Sequence, residues 1–140
     1  MTPFESIYDK FLSLIDDYEL ALIYDEELDF LLSNYLSRAI SLDFKQCQKD
    51  LTKFNTEDKQ FDVDLSAEEQ WIIATGMTLS WLESKIKHEK LMRSAISDRD
   101  YTESSNANQL QSLLKLEIIT RDRLHHYIVN YSYNDFEGLY

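Results

Sequence analysis

Two glycines and one proline in 140 residues leave little material for tight turns. A many-stranded sheet needs turn residues at every reversal, so this scarcity favours long helices. Two glycines also cannot build a phosphate-cradling loop. With one cysteine, Cys47, no internal disulfide forms, and the chain suits a reducing compartment. No apolar run approaches the length of a membrane span, and no charged-then-apolar leader opens the chain. Neither a transmembrane helix nor a signal peptide is expected. Cations are scarce too: 14 Lys and Arg stand against 26 Asp and Glu, a net charge of −12. That argues against wrapping nucleic acid, because phosphate contacts need Lys and Arg. It leaves plain solubility, a basic partner, or a surface that DNA passes without sticking.

What is present is apolar material: 44% hydrophobic and 13% aromatic residues, enough for the core of one domain of this length. Its centre is the stretch 66–95. Ser66-Ala67-Glu68-Glu69 reads as a capping box, followed by about thirty proline-free residues. Trp71, Ile72, Ile73, Ala74, Met77, Leu79, Trp81 and Leu82 cover nearly the whole circumference of its first half. A polar stripe of Gly76, Ser80, Glu83 and Lys87 is the exception. A helix apolar nearly all round is surrounded by other elements.

Three further helices are expected. Thr2-Pro3-Phe4-Glu5 reads as a second capping box, opening a helix over 3–16 with Phe4, Ile7, Tyr8, Phe11 and Ile15 on one face. Residues 18–24 are ambiguous between strand and linker. Asp25 caps a helix over 25–42, with Glu26 and Glu27 in its first turn and Leu28, Leu31, Leu32, Tyr35, Leu36, Ala39 and Ile40 buried. A last helix over 105–130 uses Leu110, Leu113, Leu114, Glu117, Ile118, Arg121, Leu124 and Ile128. Between 43 and 65 the pattern breaks, and alternating residues 61–65 suggest an irregular or β-hairpin excursion. The fold expected is thus all-α, a helical bundle of about four helices. It forms one domain over 1–130, followed by an arm over 131–140 that shows neither period.

Catalytic and metal-binding patterns fail on geometry. His125 and His126 are adjacent, so they point about 100° apart on a helix and cannot chelate one ion together. His88 has no second His at ligand spacing. Asp98-Arg99-Asp100 starts like a calcium loop, but Glu103 and Gln109 stand where Gly and a bidentate Glu are needed. Cys47 reads as a small, semi-buried apolar residue. No enzyme, cofactor or metal is expected. Trp71 and Trp81 read as core packing, with a base-stacking platform as the alternative. The aromatics of the arm, Tyr131, Tyr133, Phe136 and Tyr140, either fold back on the last helix or dock on a neighbouring protein.

The run Ser97-Asp98-Arg99-Asp100-Tyr101-Thr102-Glu103-Ser104-Ser105-Asn106-Ala107-Asn108-Gln109-Leu110 resembles a Ser-Asp, aromatic, Ser-x-Ala-Asn-x-Leu stretch. That stretch occurs in small neck proteins of tailed bacteriophages infecting Gram-positive hosts. There it follows a long helix with a Met-x-x-x-Trp-Leu core, matched by Met77, Trp81 and Leu82. A Leu-rich last helix comes after it, matched by Leu110, Leu113 and Leu114. The resemblance spans roughly 61–124. It implies a head–tail connector, an adaptor that forms a dodecameric ring beneath the portal protein and continues the DNA channel to the next neck or tail-completion protein. It implies a helical fold, no catalysis, and a place in the virion neck after assembly in the host cytoplasm. In such a ring, acidic Asp25, Glu26, Glu27 and Asp29 would face basic Lys85, Lys87, Lys90 and Arg93 of the next copy. Tyr131, Tyr133, Phe136 and Tyr140 would bury their surface only in the assembly. The alternative is a small acidic DNA mimic that inhibits a nucleic-acid-binding protein.

Overall fold

The computed structural model describes residues 1–15, 25–45, 47–95 and 105–138. The ambiguous segment 18–24, the expected end of the first helix at 16, and residues 97–104 of the Ser-Asp run lie outside the described residues. Four α-helices and a small three-stranded sheet make up the described fold.

The chain opens with β1 (Thr2–Pro3), which runs straight into α1 (Phe4–Leu14). The capping box expected at Thr2 does not form. Pro3 occupies the cap position without a side-chain bond. The Thr2 hydroxyl is used elsewhere: it donates to the Val63 carbonyl at 3.1 Å and accepts from the Leu65 N–H at 2.8 Å. Those bonds tie the start of the chain to the approach to the central helix, a long-range competitor for the hydroxyl that local spacing does not reveal.

The excursion between 43 and 65 is a hairpin of β2 (Phe54–Asn55) and β3 (Gln60–Phe61), with β1 on the other side of β3. Both pairings are antiparallel, with Thr2 and Phe54 each opposite Phe61. The turn follows from its residues. Asn55 Oδ1 accepts from the N–H groups of Glu57 and Asp58, and Lys59 takes the left-handed backbone at φ 52°. Regular pairing ends at Phe61, so the strand read over 61–65 is shorter and begins one residue earlier.

The second helix, α2 (Asp25–Arg38), continues into a π-helical turn (Ala39–Asp43) closed by Phe44 N–H to the Ala39 carbonyl at 2.9 Å. The central α3 (Ala67–Ala95) begins at the expected capping box. Ser66 N–H donates to Glu69 Oε1 at 2.9 Å, and Glu69 N–H donates to Ser66 Oγ at 3.2 Å. The last helix, α4 (Ser105–Gly138), runs past the expected stop at 130. α1, α2 and α4 all pack on α3. Ile72, Ile73, Ala74, Met77 and Leu82 are fully buried, as the all-round apolar pattern requires.

The polar stripe of α3 faces α2. A β-carbon placed on Gly76 would stand 3.0 Å from the Ala39 Cβ and 3.1 Å from Asp43 Oδ2. Gly76 is therefore what lets the π turn lie against the rod.

Candidate interaction surfaces

Around Asp43 the stripe becomes a polar cluster. Glu83 binds Arg38 of α2 at 3.5 Å and Arg121 of α4 at 3.4 Å, and Arg121 also binds Glu117 at 3.2 Å. Burial and the nearby Glu83 carboxylate push the Asp43 carboxyl up to about 6, against the opposing pull of Arg121 and Arg38.

A second cluster overturns the docking-arm reading of Tyr131. That residue is buried at 6% exposure within its own subunit. Its hydroxyl donates to Glu69 Oε2 at 2.9 Å and accepts from Gln48 N–H at 3.0 Å, and its ring packs edge-on against Phe44 at 5.2 Å. The boundary drawn at 130–131 is corrected with it, since the helix is continuous there. Tyr131 continues the buried face of Leu124 and Ile128 at spacings of four and three, a period that stops reading as helical once Tyr133 and Phe136 leave the stripe. Tyr133 is 60% exposed and remains available to a partner. The side chains of Phe136 and Tyr140 lie outside the described residues.

Glu69, read from sequence as a cap, is the hub of this cluster. Lys49 Nζ reaches its Oε1 at 2.7 Å and Cys47 Sγ approaches its Oε2 at 3.6 Å. Burial pushes the Glu69 carboxyl up. Hydrogen bonds from Lys49, the Ser66 backbone, Tyr131 and the Ser66 hydroxyl outweigh it and hold the group down at about 2. Burial raises the Cys47 thiol and the Tyr131 hydroxyl, so both stay protonated near neutral pH.

The two charged groups expected at a seam sit on separate surfaces. Glu26 and Glu27 are exposed at the start of α2, and Asp29 binds Lys59 of the hairpin turn at 2.6 Å. Lys87 and Lys90 are exposed on the second half of α3, and Lys85 lies 5.9 Å from the Trp81 ring centroid. The side chains of Asp25 and Arg93 lie outside the described residues.

On the side of α3 away from α2 runs an apolar cleft of about 390 Å³, between α3, α4 and the end of α1. Trp71, Thr75, Thr78, Trp81, Leu116 and Tyr127 form much of its wall. Trp71 is 39% exposed, unlike the core residue the sequence suggests, whereas half-buried Trp81 packs against the main core and opens its other side to the cleft. Ile118, expected on the buried face of α4, is also largely exposed. Basic groups border the cleft. Lys10 stands 5.7 Å from the Trp71 centroid, Lys85 covers Trp81, and Arg123 lines the wall; Glu68 is the acidic exception.

Among the described residues, no three His, Cys, Asp or Glu side chains converge to hold a metal ion, and no helix is long and apolar enough to cross a membrane. Comparisons with family models, curated proteins and solved structures find no match.

Proposed function

We propose that this chain is a structural subunit of a phage neck: a head–tail connector that forms a ring, in the resemblance a dodecamer, beneath a portal protein. In that role it continues the DNA channel without binding DNA specifically and meets the next neck protein below. The observation that carries the reading is the separation of charge on the subunit. The acidic start of α2 and the basic groups Lys10, Lys85 and Arg123 around the α3–α4 cleft belong to different surfaces, an arrangement that suits head-to-tail copies. The resemblance adds to it. Its Met77 and Leu82 are buried at the centre of the bundle, and its Leu110 packs on Ile86 with Leu113 and Leu114 alongside. A surface rich in carboxylates suits a channel that must release DNA.

The test is to mix the purified chain with a portal from a phage of a Gram-positive host and follow the mixture by light scattering and electron microscopy. Rings stacked on the portal support the reading. A chain that ignores portals and binds a basic nucleic-acid enzyme as a monomer overturns it in favour of the DNA mimic.

A further inference from the structure

Phe30, on the outer face of α2, is 69% exposed. Glu26 and Glu27 lie one turn before it on the same face, and both are exposed. This gives an apolar knob beside two carboxylates. The cleft is its counterpart, with an aromatic wall and Lys10, Lys85 and Arg123 at its border. Three cations around one apolar cleft are a local concentration in a chain that carries −12 overall. The dimensions agree. Trp71 and Trp81 are ten residues apart on α3, about 15 Å, which accommodates the roughly 10 Å of the first two turns of α2.

Phe30 does not meet the cleft of its own chain. α2 packs on the Gly76 and Glu83 side of α3, where Arg38 pairs with Glu83 and Ala39 approaches Gly76. At about 100° per residue, Gly76 and Ser80 stand roughly 140–180° round the axis from Trp71, which faces the cleft. Knob and cleft are therefore on opposite sides of the central rod.

We propose that the first two turns of α2 dock in the α3–α4 cleft of a second copy, with Phe30 between Trp71 and Tyr127 and with Glu26 and Glu27 against the basic border. Because the two surfaces differ, the contact is head-to-tail, and each copy keeps one knob and one cleft open for the next. The proposal rests on the ring-forming reading above and names its seam.

Phe30→Glu places a charge on the knob, and Tyr127→Glu places one in the cleft; circular dichroism checks that each folds. Sedimentation velocity of the native chain should show assemblies larger than a dimer that grow with concentration. Each variant alone should need at least about tenfold more protein to associate, as for loss of a central interface residue. Mixed in equal amounts, the variants retain one intact knob and one intact cleft between them, and should form dimers that stop there. A native chain that stays monomeric at millimolar concentration, or a Phe30→Glu chain that associates like the native one, overturns the seam. If Tyr127→Glu abolishes portal binding while Phe30→Glu does not affect assembly, the cleft belongs to the portal and the seam is again overturned. Association through Phe30 without portal binding keeps the seam and overturns the connector. Native stacking of Phe30→Glu on portals does the reverse.

Discussion

Tyr131 joins three parts of the chain through one hydroxyl. It donates a hydrogen bond to Glu69 at the start of α3 and accepts one from the Gln48 N–H before the hairpin. Tyr131→Phe keeps the ring against Phe44 but leaves Gln48 N–H without this partner and Glu69 with one donor fewer. A hydrogen bond to a charged group is worth about 1.5–3 kcal/mol, so the unfolding free energy should fall by about that much, read as a lower urea midpoint at an unchanged slope. The pH dependence follows from two carboxyls shifted in opposite senses. Asp43 is raised to about 6 in the folded chain from an ordinary 3.8, so its contribution to stability is full below 3.8 and lost as pH rises through 6. Glu69 is lowered to about 2 from 4.5, so its contribution holds above 4.5 and is lost as pH falls toward 2. Melting temperature should therefore rise from pH 7 toward pH 5 through Asp43, and fall below pH 4 through Glu69. Asp43→Asn should flatten the first limb and leave the second. A first limb unchanged in Asp43→Asn assigns the dependence to another group.

Gly76 tests how α2 and α3 meet. Alanine at an exposed helix position would gain about 1 kcal/mol over glycine. Here its methyl would press on the Cβ of buried Ala39 at 3.0 Å, which is fixed to the backbone of the π turn and cannot rotate away. Overpacking of this kind costs about 1–3 kcal/mol, so Gly76→Ala should be net destabilising by on the order of 1 kcal/mol in thermal unfolding. A stabilised variant would mean the π turn shifts freely. Removing the chain after Asn130 should lower stability too, because it takes away Tyr131. The helices were readable from sequence because burial repeats at helical spacing: Phe4, Ile7, Tyr8 and Phe11 in α1, and Leu32, Tyr35, Leu36 and Ala39 in α2. The capping box of α3 was readable because both of its bonds are local. Thr2, Tyr131 and the second role of Glu69 were not, since each bonds a partner more than sixty residues away or, for Lys49, twenty. The cleft was hidden for a related reason. Trp71 and Trp81 have core character, and the cleft between α3, α4 and the end of α1, a tertiary feature, leaves them partly open.

At the scale of the whole molecule, charge acts in two opposite ways on assembly. Each copy carries −12, so approaching copies repel over long distances. The proposed seam, in contrast, sets Glu26 and Glu27 against Lys10, Lys85 and Arg123 at contact distance. Salt separates the two effects by range. The screening length is about 30 Å at 0.01 M, about 8 Å at 0.15 M and about 3 Å at 1 M. Going from 0.01 to 0.15 M should remove most of the repulsion between whole subunits while leaving close charge pairs largely intact. Going on to 1 M should weaken those pairs as well, although the apolar contact of Phe30 remains. Self-association measured by sedimentation should therefore rise, pass through a maximum near physiological salt, and decline only part of the way. Lys87→Glu adds to the repulsion outside the cleft and should move the maximum to higher salt without changing the shape of the curve. A continuous fall from the lowest salt would show that attraction dominates at every range. A continuous rise would show that the charges beside Phe30 contribute nothing to the seam.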